Sequence, residues 1–162
     1  MKTNIRLIAL DLDGTLLDSQ KRLSARNEAV LRECISRGIY IVPCTGRIWG
    51  GVPDFLRSLP GIRYAITTNG AIVEDVKEHR ILDERKLGCA QAIDILEMAG
   101  RFHTMYDAYV DGRAYGEKRF LEHMDTYAIP DAIQTMILQT RQEVPDVKVH
   151  SRSLNLPEEK VN

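Results

Sequence analysis

The chain has little of several things that would narrow its class. Cysteine is scarce: Cys34, Cys44 and Cys89 are the only three among 162 residues, and none stands in a C-x-x-C pair. That argues against a disulfide framework or a thiolate metal site, and suits small core residues in a reducing compartment. Charge of one sign is also missing. Twenty-two basic against 23 acidic residues leave a formal net charge of −1, so bulk electrostatics give no reason to expect a nucleic-acid partner. No apolar run approaches the ~18 residues of a membrane helix, and the opening "MKTNIRLIALDLDG" turns acidic too early for a secretory signal. A cytoplasmic chain with no membrane partner is expected. His79, His123 and His150 have no metal-ligand spacing. There is no internal repeat and no low-complexity segment.

The first half alternates apolar strands with amphipathic helices. Residues 5–10, apolar but for Arg6, are expected to form a strand covered on both faces. Ser24 is placed to cap a helix reaching about Arg37, with Val30, Leu31, Cys34 and Ile35 facing the core and Gly38 ending it. Ile39–Cys44 reads as a second strand. A loop then enters a helix in which Pro53 is tolerated only near the first turn. "YAITTNGAIV", residues 64–73, reads as a third strand. Strands and helices in that order make an α/β unit with a parallel sheet.

The pattern changes after about residue 72. A hairpin turning near Lys77–His79 is followed by a helix over "GCAQAIDILEMAG" and a second hairpin with Asp111-Gly112 at its turn. "RFLEHMDTYAIPDAIQTMILQTRQEV" reads as helical on both sides of a break at Pro130, and the tail after it supplies no second half of a domain. The expected division is residues 1–80 and an α+β domain over 81–162. His103, Tyr106, Tyr109 and Tyr115 on the second hairpin fit either a polar pocket or strand packing.

The chemistry gathers where apolar runs end. In open α/β sheets, sites form beyond the carboxyl ends of the strands, and "DLDGT", "CTGR" and "TTNGA" each follow a predicted strand. Asp11 and Asp13 flank a single residue. An ionised Asp11 can attack phosphorus, and Asp13 can protonate the leaving alcohol and later deprotonate water. A carboxylate approaching a phosphate is repelled, so a hard cation with oxygen ligands is needed, and Mg²⁺ fits. Gly14 permits a tight turn that offers amides to a phosphate. Thr45 and Gly46, entering a helix, can bind a phosphate oxygen. Arg47 either bonds substrate or sits on the surface, and Asn69 marks a turn at the same edge. Asp18 needs no more than a turn or cap role.

"DLDGTLLDS", "CTGR" and "TTNGA", in this order and spacing, resemble the haloacid dehalogenase superfamily, and closely its Cof-like sugar-phosphatase branch. The resemblance implies a Rossmann-like core with an inserted α+β cap, and Mg²⁺-dependent hydrolysis of small phosphorylated metabolites through an aspartyl-phosphate. It implies that Asp11 is the nucleophile and a metal ligand. Asp13 is the acid/base and binds metal through its carbonyl. Thr45 and the amides around Leu12, Gly14 and Gly46 hold the phosphoryl group. From their place at the same edge, Arg47 and Asn69 are the candidate substrate contacts. Two further family motifs, a lysine and an acidic loop after the cap, have no counterpart here. Lys77, Lys86, Lys118, Lys148 and Lys160 stand in no matching context. The core and cap are therefore expected to be incomplete at the C-terminus, the turnover of this chain slow, and self-association through an open sheet edge possible. A phosphomannomutase-like phosphotransferase and a non-catalytic phosphate-binding fragment are the alternative functions.

Overall fold

The computed structural model describes residues 4–161, which fall into two compact units, one up to Arg85 and one from Lys86. In the first unit, strand β1 (Leu7–Leu10) pairs in parallel with β2 (Tyr40–Pro43), joined by helix α1 (Ala25–Ser36). Ser24 caps α1, its Oγ accepting from the Asn27 N–H at 3.1 Å, and Gly38 follows the helix at φ +75°. Leu31 is buried and Cys34 and Ile35 pack partly against the core, but Val30 lies on the flank of that face and is exposed. A single 3₁₀ turn (Trp49–Gly51) and the short helix α2 (Asp54–Arg57) follow, with Pro53 immediately before α2.

Two expectations for this unit are corrected. The first strand is not covered on both faces: Ile8 and Leu10 pack against the core, whereas Leu7, 52% exposed, and Ala9 on the opposite face are left open. The expected third strand is two. β3 (Tyr64–Thr67) stops at a 3₁₀ turn over Thr68–Gly70, and β4 (Ile72–Asp75) returns antiparallel to it. Left-handed backbone at Thr68 (φ 53°) and Asn69 (φ 57°) makes that reversal, so the apolar flanks read as continuous while the chain doubles back. β3 still reaches β2 through a parallel bridge between Cys44 and Ile66. β5 (Arg80–Glu84) completes the expected hairpin beside β4.

The core of this unit holds Leu12, Leu16, Leu17, Leu31, Ile41, Val52 and Leu56. Asp75 is fully buried at the far end of β4. Burial pushes its carboxyl up, but a 2.9 Å bond from Arg63 and the N–H groups of Glu78 and Lys77 outweigh this and hold it below the ordinary range.

The second unit begins with helix α3 (Cys89–Ala99), where the Gln91 side chain bonds the Gly88 N–H at 3.2 Å. β6 (Asp107–Val110) and β7 (Arg113–Glu117) form the expected hairpin, its Asp111-Gly112 turn having positive φ at both residues. Tyr106, Tyr109 and Tyr115 are buried, so packing decides their role, whereas His103 is exposed and stacks on Tyr127. Helix α4 (Lys118–Leu121), a 3₁₀ turn and helix α5 (Asp131–Thr140) follow, with the break before α5 at Pro130.

From there the structure departs from the sequence reading. The helix ends at Thr140, and β8 (Arg141–Val144) lies parallel to β7. The tail holds helix α6 (Val147–Leu154) and β9 (Lys160–Val161), giving a sheet of order β8-β7-β6-β9. Asp146 caps α6 through a 2.9 Å bond from the Val149 N–H, and Asn155 ends it in left-handed backbone. The buried face of α6 is Val147 and Ser151, so a serine interrupts the apolar pattern that would have revealed the helix.

Glu158 is fully buried where its backbone bonds Leu87 in both directions. Burial pushes its carboxyl above the ordinary value of 4.5, against a smaller opposite pull from Ser151. The folded chain therefore keeps this proton to higher pH than the unfolded chain. The native state loses nothing from Glu158 below about 4.5, and loses stability as pH rises from there through the folded value. In Glu158→Gln that slope should flatten: melting temperatures measured from pH 4 to pH 8 should show the variant gaining on the parent toward the alkaline end.

Candidate functional site

The site is built on the loop that leaves β1. Leu12, Leu16 and Leu17 are buried, and they anchor a tight turn in which the Leu17 N–H bonds the Leu12 carbonyl at 2.9 Å and the Leu16 N–H bonds that of Asp11 at 3.3 Å. Fixed from below by leucines, the turn presents Asp11, Asp13, Gly14 and Thr15 outward, all exposed. Gly14 sits at φ +82°, where a side chain would strain the backbone although open space surrounds it. Leu12 offers a bound anion only its backbone, since its side chain belongs to the core. Asp11 accepts a 2.8 Å bond at Oδ2 from the Thr15 hydroxyl.

Asp13 is held by two cations. Arg47 grips it in a fork, Nε to Oδ2 and Nη2 to Oδ1, both at 2.8 Å, and Lys21 Nζ adds a bond to Oδ1 at 2.7 Å. The Arg47 bonds are the largest cause, against the opposing effect of burial and with help from Lys21, of a carboxyl lowered to about 2. Arg47 is further tied by Nη1 to the Gly51 carbonyl at 2.8 Å.

The other two loops are knitted to the same place. Thr45, buried, accepts the Arg47 N–H at its Oγ1 at 3.2 Å, which leaves its hydroxyl hydrogen to donate. The Thr45 carbonyl accepts the Asn69 N–H at 3.2 Å, and the Arg47 carbonyl accepts the Thr68 N–H at 2.9 Å. A Cβ at Gly46 would overlap Asn69 Oδ1, so any other residue there would push the Asn69 side chain aside. Asp13, Thr45, Gly46, Arg47 and Asn69 are thus brought into one connected cluster. Asp11 stands at its margin, bonded to Thr15. Lys21, which carries no motif signal, joins the cluster unannounced. Asp18 has the turn role expected of it: its Oδ1 accepts the Gln20 and Arg22 N–H groups, both at 2.9 Å.

Asp11 supplies a carboxylate and Asp13 a backbone carbonyl, oxygen donors suited to Mg²⁺, an ion that keeps several waters and takes substrate phosphate oxygens. Among the described residues no group of three His, Cys, Asp or Glu side chains could hold a metal by itself. Nor is any helix among them long and apolar enough to cross a membrane.

The family model of haloacid dehalogenase-like hydrolases matches residues 8–161, and the chain belongs to that family. The phosphatase YwpJ of Bacillus subtilis is 32% identical over 121 residues, which cover 75% of this chain and 42% of YwpJ. The pyridoxal phosphate phosphatase YbhA of Escherichia coli is 31% identical over 106 residues, covering 65% of this chain and 39% of YbhA. A solved haloacid dehalogenase-like hydrolase from B. subtilis superposes with a TM-score of 0.70 at 28% identity, covering 90% of this chain and 56% of that one. The chain spans about half the length of the relatives it matches.

Proposed function

We propose that this chain carries the nucleophile-bearing part of a Mg²⁺-dependent phosphomonoesterase acting on small phosphorylated metabolites such as sugar phosphates. In this reading the unit up to Arg85 is the N-terminal part of the catalytic core, and the unit from Lys86 belongs to the cap. The observation that supports it most is the hydrogen-bonded knot of the three strand-end loops beside an exposed Asp11. The family membership and the phosphatase names of the relatives point the same way.

Asp11 attacks phosphorus with a carboxylate oxygen. The P–O bond to the substrate alcohol breaks, the alcohol leaves with a proton, and an aspartyl-phosphate remains. Water then attacks that phosphorus and releases inorganic phosphate, restoring Asp11. The Thr45 hydroxyl and the amides around Gly14 and Gly46 orient the phosphoryl oxygens. Mg²⁺, when bound, screens the approaching anions and polarises the phosphoryl group. Asp13 is the group placed to pass the protons. Held ionised in its double grip, it has none to give at the start: once that grip loosens it takes up a proton from solvent and passes it to the leaving alcohol, and it then takes the proton of the attacking water.

The test is phosphoryl capture. The chain is incubated with acetyl phosphate and Mg²⁺, then followed by intact mass and phosphate release. A phosphoryl adduct or released phosphate that needs Asp11 supports the reading. Neither product, or products unchanged in Asp11→Asn, overturns it.

A further inference from the structure

Lys21 is the one cation of the cluster that no motif announces, and its surroundings are built to present it. The backbone from Asp18 to Arg22 is a closed turn. Asp18 N–H bonds the Arg22 carbonyl at 3.0 Å and Lys21 N–H bonds the Asp18 carbonyl at 2.9 Å. Arg22 Nε returns to Asp18 Oδ2 at 3.2 Å, and a bridge between Leu17 and Leu23 closes the base. Lys21 itself holds left-handed backbone at φ 61°. This degree of local bonding fixes where the side chain starts, beside Asp13.

The two cations on Asp13 are not equivalent. Arg47 satisfies both carboxylate oxygens and a backbone carbonyl, and its side chain is 17% exposed. Lys21 makes one described bond, to an oxygen Arg47 already holds, and its side chain is 47% exposed. One carboxylate needs one counter-charge, so the ammonium is the surplus partner, on a flexible stem whose donors can be redirected. A planar fork engaged on three sides cannot be redirected without breaking all of its bonds.

We propose that Lys21 is a phosphate-binding residue of this site. Its ammonium leaves Asp13 Oδ1 for a non-bridging oxygen of a phosphomonoester drawn up to Asp11, while Arg47 stays as the positioning residue that keeps Asp13 in place. This rests on the phosphatase reading above. The exchange also loosens the grip on Asp13 when substrate is present, through one cation that moves and one that does not.

The experiment measures inorganic phosphate binding to the full 162-residue chain with Mg²⁺, by calorimetry and by the phosphate-induced rise in melting temperature. Lys21→Met, which keeps the stem and removes the charge, should weaken phosphate about tenfold or more, while Lys21→Arg stays within a few-fold of the parent. Both variants should melt with the parent when no phosphate is present, since one exposed ion pair contributes little. If the parent binds and Lys21→Met binds equally well, the role of Lys21 is overturned and the phosphatase reading stands. Loss of phosphate binding in Lys21→Met that comes with a matching fall in its unliganded melting temperature also overturns it, because Lys21 would then be structural. A parent that binds no phosphate overturns the phosphatase reading, and this inference with it.

Discussion

Replacing Asp11 by asparagine is expected to reduce Mg²⁺-dependent phosphate release from p-nitrophenyl phosphate by roughly 10³-fold or more, to background. Asparagine matches aspartate in shape, and its Oδ1 can still accept the 2.8 Å bond from the Thr15 hydroxyl. What it lacks is the negative oxygen that attacks phosphorus, and a neutral amide is a poor nucleophile. Asp11 is exposed and outside the leucine anchor, so the melting temperature should not move. Because turnover of this chain is itself expected to be slow, the fraction carrying a phosphoryl group is the more sensitive readout, and it should fall to zero in the variant. Retention of even a tenth of the parent signal would remove Asp11 from the role of nucleophile.

The largest loss of stability is expected in the second unit, from Arg141→Met. Arg141 lies at the start of β8 with its side chain 7% exposed, and its Nη2 meets Asp107 Oδ2 at 2.7 Å. The same guanidinium bonds the Tyr109 hydroxyl and, through Nη1 at 2.7 Å, the Thr140 hydroxyl. Tyr109 shows how strongly this region disfavours another anion. Burial, then the Asp107 charge, pushes its hydroxyl up to about 12, although Arg141 pulls the other way. Methionine fills much of the volume but takes the guanidinium from a carboxylate that is 2% exposed. Removing one partner of a buried pair costs about 3–5 kcal/mol, far more than the pair itself adds over apolar packing. Denaturant melts should show that loss. A double variant, Arg141→Met with Asp107→Leu, should recover most of it. A loss under about 1 kcal/mol in the single variant would mean that water already solvates the pair.

Much of both units was legible where the signals are local. Ser24 caps the helix it was expected to cap, and Asp111-Gly112 turns the hairpin it was expected to turn, since both depend on a few adjacent residues. The failures share a cause. β8 is Arg-Gln-Glu-Val, and periodicity had no means of separating it from the helix before it, because Arg141 is held there by Asp107 and Tyr109, more than 30 positions away in sequence. α6 hid behind the buried Ser151. The reversal at Thr68–Gly70 was masked by apolar residues on either side of it, which continue the look of one strand.

The candidate site divides in the same way. Asp11, Asp13, Gly14, Thr45 and Gly46 stand in motifs whose chemistry is written in residue type and spacing, so the sequence alone determined which groups would meet a phosphate in the proposed reading and that they follow the first two strands. Whom Asp13 would be bound to was decided by tertiary structure. Arg47 comes to it from 34 residues on and Lys21 from a turn with no motif, and together they hold ionised the carboxyl that the proposed mechanism has moving a proton. The physical reason is range. Propensity, capping and turn formation act within a few residues, whereas a carboxylate's protonation is governed by charges a few ångströms away, and only the fold decides which charges those are.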